Sequence, residues 1–274
     1  MKQQIILVTG ASSGIGKATA KQLIQDGHKV YVAARRVEQM EDLTQLGAAS
    51  IKMDITNEDD VKRVVDTIAK EDGGVDVLVN NAGYAIYGAV EDTSIADARR
   101  QFEVNIFGLA RLTQLVLPYM RNQKAGKIIN ISSMGGKMYT PLGAWYHATK
   151  HALEGWSDCL RLELKQFNID VVIIEPGVIA TEFGDVMMDP MMQRSGDGPY
   201  VQMAKSIRSS TDEMYTKGQA SSPDVIARVI SKAVKSKKPK TRYVKGKFAK
   251  PMMFIRKWFG DGVFDKVVLS QVKS

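Results

Sequence analysis

Short runs of apolar residues alternate along the chain with longer segments whose apolar positions recur at helical spacing. Apolar runs of this length are typical of strands that a parallel sheet buries on both faces. The intervening patterns are typical of amphipathic helices that cover such a sheet. We predict strands at 5–8, 29–34, 50–53, 75–79, 127–131 and 170–174, and helices before Gly27 and at about 37–46, 58–71, 94–120, 144–165 and 224–234.

This alternation of strand and helix runs through the chain without an internal repeat, a low-complexity segment or a linker. It predicts an α/β fold in which a Rossmann-type, doubly wound parallel sheet carries helices on both faces of one domain. We assign residues 1–245 to this domain. Residues 246–274 form a basic and apolar extension, which we expect to pack on the same domain or on a partner.

Composition places the protein among ordinary globular chains. Of its 274 residues 44% are hydrophobic, which is enough for a packed core without disulfides. The single cysteine, Cys159, excludes an internal disulfide, and its place on the apolar side of a helix predicts that it is buried. No apolar run reaches the ~18 residues of a membrane span, and Met1 leads directly into the first strand without a signal peptide. We therefore expect a cytoplasmic protein.

The net charge of +8 is concentrated near the C-terminus. Residues 232–257 contain eleven basic side chains and no acidic one, whereas the rest of the chain carries slightly more acidic than basic groups. From Phe248 onward the cations are interleaved with Met, Phe and Trp. Such a segment can rest on an anionic membrane surface, cover a pocket or pack on a partner subunit. We do not expect a nucleic-acid partner.

A glycine-rich turn joins the first predicted strand to the first predicted helix. Glycines at these positions allow a sharp turn and a close approach of the backbone to a ligand. The N-terminus of a helix after such a turn attracts the pyrophosphate of a dinucleotide through its free N–H groups and its dipole. The residues that we predict to contact the pyrophosphate are Gly10, Ser12, Ser13, Gly14, Ile15 and Gly16.

The second predicted strand ends in Ala34 and is followed by Arg35 and Arg36. In dinucleotide folds an acidic residue at the end of this strand holds the ribose 2′-hydroxyl of NAD, whereas an arginine accepts the 2′-phosphate of NADP. A guanidinium suits phosphate because it makes paired, charged hydrogen bonds. We therefore predict that NADP(H) is preferred over NAD(H). The alternative is a solvated arginine pair that opens a surface helix.

Polar and small residues follow the next strands, where open parallel sheets bind ligands. Asp54, followed by Ile55, closes the third strand and is placed to hydrogen-bond an adenine amino group. Asp54 is alternatively the N-cap of the following helix, although Asn57 suits that position equally well. The further cofactor contacts that we predict, after the fourth strand, are Asn81, Ala82 and Gly83.

Tyr146 and Lys150 lie one helical turn apart on the same face, with about 5–6 Å between their Cβ atoms. A phenol titrates near pH ~10, which is too high for efficient acid–base catalysis at neutral pH. A nearby ammonium favours the phenolate, so we expect Lys150 to lower the pKa of Tyr146. Ser133 follows the fifth predicted strand and can hydrogen-bond the oxygen that gains or loses the proton.

Taken in chain order, these motifs resemble those of the short-chain dehydrogenase/reductase family over about residues 1–235. The resemblance implies a sheet of about seven strands and a role for Tyr146 as the general acid in carbonyl reduction. It also implies that Lys150 binds the nicotinamide ribose and that Ser133 orients the substrate oxygen. Asn105 would hold a water that connects Lys150 to solvent. Pro176, Gly177, Val178 and Thr181 would contact the cofactor, residues 178–181 at the nicotinamide carboxamide. The matching motifs are Thr9-Gly10 with Gly14 and Gly16, Asp54, Asn80-Asn81-Ala82-Gly83, Asn105, Ser133, Tyr146 with Lys150, and Pro176-Gly177.

The same resemblance implies hydride transfer between a nicotinamide and a hydroxyl or carbonyl, with a homodimer or homotetramer formed through the two long helices. His147 and His151 have a spacing that can bind zinc, but no third ligand is apparent, and we expect no metal site. Residues 182–200 are rich in methionine and predict a mobile lid over the substrate, or methionines that simply pack on the domain. The expected pocket residues are largely apolar: Tyr84, Ile86, Met134, Met138, Tyr139 and Leu142.

These features favour a small hydrophobic ketone, aldehyde or alcohol as substrate, with a loose likeness to hydroxysteroid and retinol dehydrogenases. Two other functions remain open. The chain could reduce a 3-oxoacyl thioester on an acidic carrier protein that the basic C-terminal region recognises. It could also be a sensor or scaffold that binds NADPH without turnover.

Overall fold

The computed structural model describes residues 3–270 and 272. Its sheet has seven strands, all parallel to their neighbours. In chain order these are β1 (Ile5–Thr9), β2 (Lys29–Ala34), β3 (Ala49–Lys52), β4 (Val77–Asn80), β5 (Gly126–Ile131), β6 (Ile169–Pro176) and β7 (Arg242–Lys245). Their spatial order is β3-β2-β1-β4-β5-β6-β7, which confirms the predicted doubly wound sheet.

The helices lie on both faces of this sheet. They are α1 (Gly14–Gln25), α2 (Glu41–Gln45), α3 (Glu58–Asp72), α4 (Ile95–Phe102), α5 (Leu109–Gln123), α6 (Ala144–Leu164), α7 (Phe183–Ser195), α8 (Val201–Thr216), α9 (Asp224–Lys235) and α10 (Ala249–Leu269). Residues of α1 and α9 belong to the core on one face, and residues of α3, α5 and α6 belong to the core on the other.

The strands are apolar at consecutive positions because successive side chains point to opposite faces of the sheet, and both faces are covered. In β1, Ile6 and Val8 pack with the α1 and α9 side, whereas Leu7 packs with the α3 and α5 side. In β5, Ile129 and Ile128 divide in the same way. All five side chains are completely buried.

Three local predictions need correction. The helix predicted over 37–46 begins as a 3-10 turn at Val37–Met40 before α2. The long helix predicted over 94–120 is interrupted between α4 and α5 by a π-helical segment, Glu103–Gly108. The Cys159 side chain is exposed, because it lies on the side of α6 that faces away from the sheet.

The C-terminal extension forms α10, whose Phe264 and Val268 are buried against Met138 of the main domain. The aromatic rings of Tyr139 and Phe264 meet edge to face with 5.2 Å between their centroids. None of the helices in the described part of the chain is long and apolar enough to cross a bilayer.

A buried polar network crosses the central strands. The Asn80 Nδ2 donates to Asn130 Oδ1 at 2.9 Å and to Thr113 Oγ1 at 3.2 Å. The Asn130 Nδ2 in turn donates to Ser157 Oγ at 2.9 Å. All four side chains are buried, so each of these bonds protects a polar group that has no access to water. The network therefore fixes β4 and β5 relative to α5 and α6, the helices that carry or flank the candidate site.

We predict that Asn130→Ala lowers the free energy of unfolding by about 2–3 kcal/mol, because it leaves Ser157 and part of Asn80 without partners in the interior. Chemical denaturation followed by circular dichroism measures the loss. Asn122→Ala is the matched control, since Asn122 is exposed on α5. Equal stability of the two variants would contradict a structural role for the network.

Candidate active site

A pocket of about 440 Å³ lies at the carboxyl ends of the central strands. Most of the predicted site residues meet there. Those that line the pocket are Gly10, Ser13, Gly14, Ile15, Arg35, Arg36, Asn81, Ala82, Gly83, Ser133, Tyr146, Lys150, Pro176, Gly177, Val178 and Thr181. Among the described residues, the predicted ones outside its lining are Ser12, Gly16, Asp54, Ile55 and Asn105.

The turn between β1 and α1 requires glycine for two reasons. Gly10 has φ +64°, and a Cβ there would lie 2.8 Å from the Ala82 Cα. A Cβ on Gly16 would lie 2.3 Å from the Gly10 carbonyl oxygen and 2.4 Å from the Asn81 Nδ2. Gly16 therefore allows α1 to approach the end of β4, and Gly10 shapes the pocket wall. The N-terminus of α1 opens toward this pocket, a geometry that attracts an anion.

Thr9 and Asn81 fasten the end of β1 to the loop that follows β4. The Thr9 Oγ1 accepts hydrogen bonds from the Asn81 and Ala82 backbone N–H groups, both at 3.0 Å. The Asn81 Nδ2 donates to the Thr9 and Gly10 carbonyls at 2.9 and 3.1 Å. Asn81 thus holds the crevice in shape from its side chain. Thr9 belongs to the sequence motif, but only the structure shows that its hydroxyl binds the loop after β4.

The two predicted phosphate-binding arginines lie exposed at one end of the pocket. The Arg36 Nη2 lies 3.5 Å from the Ser12 Oγ and 3.6 Å from a Glu182 carboxylate oxygen. The latter pair is open to solvent, so it holds Arg36 only weakly. Ala34, buried at the end of β2, leaves this position without a carboxylate.

Asp54 and Ile55 make local contacts that have a structural role. The Asp54 Oδ1 accepts hydrogen bonds from the Thr56 backbone N–H and hydroxyl at 3.0 and 2.8 Å. The N-cap of α3 is Asn57, whose Oδ1 accepts from the Asp60 N–H. The alternative of Asp54 as N-cap is therefore wrong. A Cβ on Gly108 would lie only 2.4 Å from the Ile55 carbonyl oxygen, so the backbone at Ile55 packs closely on Gly108. The adenine contact of Asp54 stays a prediction.

Ser133, which is half-buried, lies with the buried Tyr146 and Lys150 in one compact group. Tyr146 lies in the first turn of α6, is 9% exposed and hydrogen-bonds Ser133. The Lys150 Nζ lies 5.9 Å from the centroid of the Tyr146 ring and donates to the Ile131 carbonyl at 2.9 Å. Ile131 ends β5, so the same strand that delivers Ser133 also anchors the lysine.

Burial has the largest effect on the pKa values of Tyr146 and Lys150. It raises the pKa of Tyr146 well above that of a free phenol, while the Ser133 hydrogen bond acts in the opposite direction. Burial also lowers the pKa of Lys150 to about 8, against a smaller upward effect of the Glu154 carboxylate. The expected depression of the Tyr146 pKa by Lys150 is therefore not found in this state. Instead, the phenol holds its proton throughout the neutral range.

Asn105 lies in the π-helical segment, a distortion that frequently marks functional positions. Its Oδ1 accepts from the Tyr84 N–H at 3.1 Å, and its Nδ2 donates to the Tyr84 carbonyl at 3.0 Å and to Thr149 Oγ1 at 3.1 Å. These bonds join the loop after β4 to α6 between Tyr146 and Lys150. Both hydrogens of the Asn105 side-chain amide are thus used. The predicted water would therefore have to donate to an oxygen of Asn105.

His147 packs edge-on against Tyr146, with 5.6 Å between ring centroids. Its Nε2 accepts from the Thr140 N–H at 3.1 Å, which leaves the proton on Nδ1 to be donated to the Gly135 carbonyl at 2.9 Å. Burial lowers the pKa of His147 to about 4, so the ring is neutral near pH 7. The sequence suggested a role for this histidine only as a metal ligand. Its hydrogen bonds instead support the loop below Tyr146.

Two buried glutamates share the cation Arg242, and one of them, Glu154, acts electrostatically on Lys150. Glu154 is one helical turn further along α6, and Glu175 is at the end of β6; their residues are 3% and 1% exposed. Arg242 of β7 lies 3.1 Å from Glu154 and 3.5 Å from Glu175, and the Lys137 Nζ lies 3.0 Å from Glu154. Burial and the adjacent Glu154 carboxylate raise the pKa of Glu175. This cluster places negative charge close to Lys150.

The substrate end of the pocket is mainly apolar. Met134, Met138 and Tyr84 line it as expected, together with Tyr87 and Met187. Residues 182–200, predicted as a lid, form α7 and the approach to α8, and both helices contribute to the lining. The remaining expected residues lie behind the surface: Ile86 and Leu142 are buried, and Tyr139 packs on α10.

Some methionines of this region pack on the domain, as one alternative predicted, and the mobile lid stays a prediction. Met188 and Met191 are buried in a small core with Leu142, whereas Met187 faces the pocket.

Comparison with known proteins places this geometry in a family. Residues 4–190 match the family model described as short chain dehydrogenase. The chain is 43% identical over 185 residues, covering 68% of this chain and 67% of the relative, to the 3-ketodihydrosphingosine reductase of Bacteroides thetaiotaomicron.

Solved structures agree over most of the chain. A short-chain dehydrogenase from Streptomyces avermitilis has a TM-score of 0.82 at 33% identity, covering 98% of this chain and 95% of the other. The closed form of a serine dehydrogenase complexed with NADP+ has a TM-score of 0.77 at 28% identity, covering 88% and 94%. These relatives are not hydroxysteroid or retinol dehydrogenases by name, so that looser likeness is not carried further. The fold, the pocket and the family match lead to one conclusion: the chain belongs to the short-chain dehydrogenase/reductase family and is an NAD(P)-dependent oxidoreductase that acts on hydroxyl or carbonyl groups.

Proposed function

We propose that the protein is an NADP-dependent oxidoreductase that interconverts a hydroxyl and a carbonyl on a small hydrophobic molecule, and that it works as a reductase. The observation that carries the proposal is the grouping of Ser133 with the buried Tyr146 and Lys150 in a pocket that Arg35 and Arg36 also line. The pocket thus joins an acid–base group to a surface suited to phosphate.

The crevice suits a dinucleotide on two grounds. Gly10 and Gly16 allow the turn to pack closely on the loop after β4, and the N-terminus of α1 opens toward the pocket that results. Gly10, Ser13, Gly14 and Ile15 would hold the pyrophosphate, and Asn81–Gly83, Tyr146, Lys150 and residues 176–181 would hold the nicotinamide half. When bound, the nicotinamide supplies or accepts the hydride.

Side chains of the protein supply the proton that the substrate oxygen takes up. Tyr146 keeps its proton at neutral pH because burial raises its pKa, so the phenol is ready to donate to a carbonyl oxygen that gains negative charge. Ser133, hydrogen-bonded to Tyr146, orients that oxygen. Lys150, charged below about pH 8, stabilises the phenolate that remains after the transfer. The apolar lining and the helices α7 and α8 exclude water from the transfer.

The preference for NADP(H) rests on the charge at the β2 end of the pocket. Two exposed arginines follow Ala34, and the 2′-hydroxyl position has no carboxylate from β2.

A hydrophobic carbonyl compound is the substrate that the lining favours. Tyr84, Tyr87, Met134, Met138 and Met187 present apolar surface next to Tyr146. Methionine adapts to varied apolar shapes, which suits a flexible chain better than a rigid ring. The named activity of the Bacteroides relative, reduction of a 3-keto sphingoid base, points in the same direction.

We also propose a homo-oligomer formed through α5 and α6. Phe107 beside α5 and Leu162 on α6 are 55% and 65% exposed, and Cys159 lies on the same outward side of α6. A second copy would remove these apolar groups from water.

We predict that Tyr146→Phe lowers the rate of carbonyl reduction by about 10²–10⁴-fold, because it removes the general acid. The affinity for NADPH, measured by fluorescence titration, changes little. Tyr87→Phe is the control, since its ring lies 6.1 Å from that of Tyr146 but its hydroxyl makes only a long contact to Thr140. A Tyr146→Phe enzyme with wild-type turnover would refute the assignment.

Arg35→Ala should weaken NADPH binding by at least tenfold while leaving NADH binding nearly unchanged, because only NADPH carries the 2′-phosphate. Arg99→Ala removes an exposed arginine on α4 outside the pocket lining and serves as the control. Isothermal titration with both cofactors gives the comparison. Equal losses for NADPH and NADH would remove the phosphate role from Arg35.

We expect kcat/KM for reduction to fall above about pH 8, because the Lys150 ammonium loses its proton there. Glu154 raises the pKa of Lys150, so Glu154→Gln should move this fall to lower pH. Asp158→Asn is the control, since Asp158 also binds Arg242 but lies a further turn from Lys150. Melting curves establish that both variants fold. An unchanged alkaline limb in Glu154→Gln would contradict the electrostatic coupling.

A further inference from the structure

One side of α10 carries a dense set of exposed aromatic and basic residues. We call this the α10 outer face and define it as Lys250, Phe254, Lys257, Trp258 and Phe259. The three aromatic residues are 56%, 65% and 56% exposed. Residues 250, 254 and 258 recur every four positions, so this face is a stripe along the helix. Large apolar groups so exposed are costly in water unless something covers them.

The aromatic rings form one continuous patch. The Phe254 centroid lies 6.4 Å from that of Trp258 and 6.1 Å from that of Phe259. The Lys257 ammonium lies 5.1 Å from the Trp258 centroid. Gly260, with φ +73°, breaks the helix directly after this patch. The aromatic side chains therefore lie together at a corner of the molecule.

The charge of the face is positive. Lys250 and Lys257 are exposed within it. The two nearest carboxylates of α10 have other partners: Asp261 lies 2.6 Å from the Arg256 guanidinium, and Asp265 accepts from the Tyr139 hydroxyl at 2.9 Å. Of the other basic residues between 232 and 257, Lys235 is paired with Asp26 and Arg242 with Glu154, so the charge of this face comes from Lys250 and Lys257 themselves.

Aromatic and basic residues on one side of a helix are typical of helices that lie in a membrane interface. Phenylalanine and tryptophan enter the headgroup region, and nearby lysines are attracted to an anionic surface. A second copy of the chain suits this face less well, because a symmetric contact would bring the same lysines together. The uncharged, exposed Phe107 and Leu162 suit such a contact better.

Met252 and Ile255 of α10 contact residues of the pocket wall. They pack in the same cluster as Met134 and Met138. Both Met134 and Met138 line the pocket at its apolar end. Only one layer of side chains therefore separates α10 from the space proposed for the substrate.

We propose that the α10 outer face docks the protein on an anionic lipid bilayer, and that the substrate is a carbonyl-bearing amphiphile that enters the pocket from this bilayer. The second half of this inference rests on the proposed function; the first half does not. Docking brings the apolar end of the pocket near the lipid chains, and the polar cofactor end stays in water.

Sedimentation with vesicles tests the docking. We expect the full chain to sediment with phosphatidylcholine vesicles that contain phosphatidylglycerol, and much less with phosphatidylcholine alone. Phe254→Ser combined with Trp258→Ser should reduce binding at least tenfold, and so should Lys250→Glu combined with Lys257→Glu. Matched controls are Leu46→Ser with Val90→Ser, and Lys62→Glu with Lys165→Glu, all at exposed positions outside both the α10 outer face and the proposed oligomer contact. Equal binding by the outer-face variants and their controls would overturn the proposal.

Trp258 fluorescence gives an independent readout. In the wild type we expect a blue shift on addition of the anionic vesicles, and we expect that shift to disappear in Trp258→Phe. A wild type that neither sediments nor shifts would overturn the docking while leaving the proposed function intact. A change of oligomeric state in the outer-face variants without vesicles would also overturn it, because a second copy would then be the occupant.

Rates of carbonyl reduction distinguish docking on the bilayer from delivery of the substrate by the bilayer. With a water-soluble carbonyl substrate, the outer-face variants should reduce it as fast as the wild type. With a long-chain ketone embedded in anionic vesicles, their rate should fall at least tenfold. Equal rates on the embedded ketone would contradict delivery from the bilayer.

Discussion

The crevice at the end of β1 and β4 depends on one close approach of two backbone segments. Gly16 permits the approach, because a Cβ there would collide with the Gly10 carbonyl and the Asn81 amide. Thr9 and Asn81 then fix it with four hydrogen bonds across the gap. The same approach opens the N-terminus of α1 toward the pocket and aligns the loop after β4 with α6. The end of the pocket proposed for the phosphates and the end proposed for acid–base chemistry therefore both depend on this packing.

Burial is the second determinant of the chemistry. It keeps the Tyr146 phenol protonated and lowers the pKa of Lys150 to about 8, so the two groups differ in charge at neutral pH. Glu154 acts against the desolvation of Lys150 and is itself held by Arg242 and Lys137. A buried carboxylate with two cations is costly to assemble, and its electrostatic effect on Lys150 links the sheet edge at β7 to the acid–base group. Protonation of the site is thus a property of the fold and not of Tyr146 and Lys150 alone.

The sequence predicts the features that depend on local periodicity. The range of β2 and the presence of six strands follow from apolar runs, and the pairing of Tyr146 with Lys150 follows from helical spacing. The π-helical segment at Asn105 has no such signal, because it arises from a local shift in hydrogen bonding. Glu154 and Glu175 come from distant elements that only the fold brings together. Exposure of Cys159 and burial of His147 likewise depend on which side of α6 is covered.

The central claim is that this pocket transfers a hydride from NADPH to an apolar carbonyl. The most direct test incubates the protein with NADPH deuterated at the nicotinamide C4 and a long-chain ketone, and then examines the product by mass spectrometry. We predict an alcohol with one deuterium on the former carbonyl carbon, delivered from one face of the nicotinamide only. If NADPH binds but no deuterium reaches the product from either C4 position, the site binds the cofactor without this chemistry, and the claim is wrong.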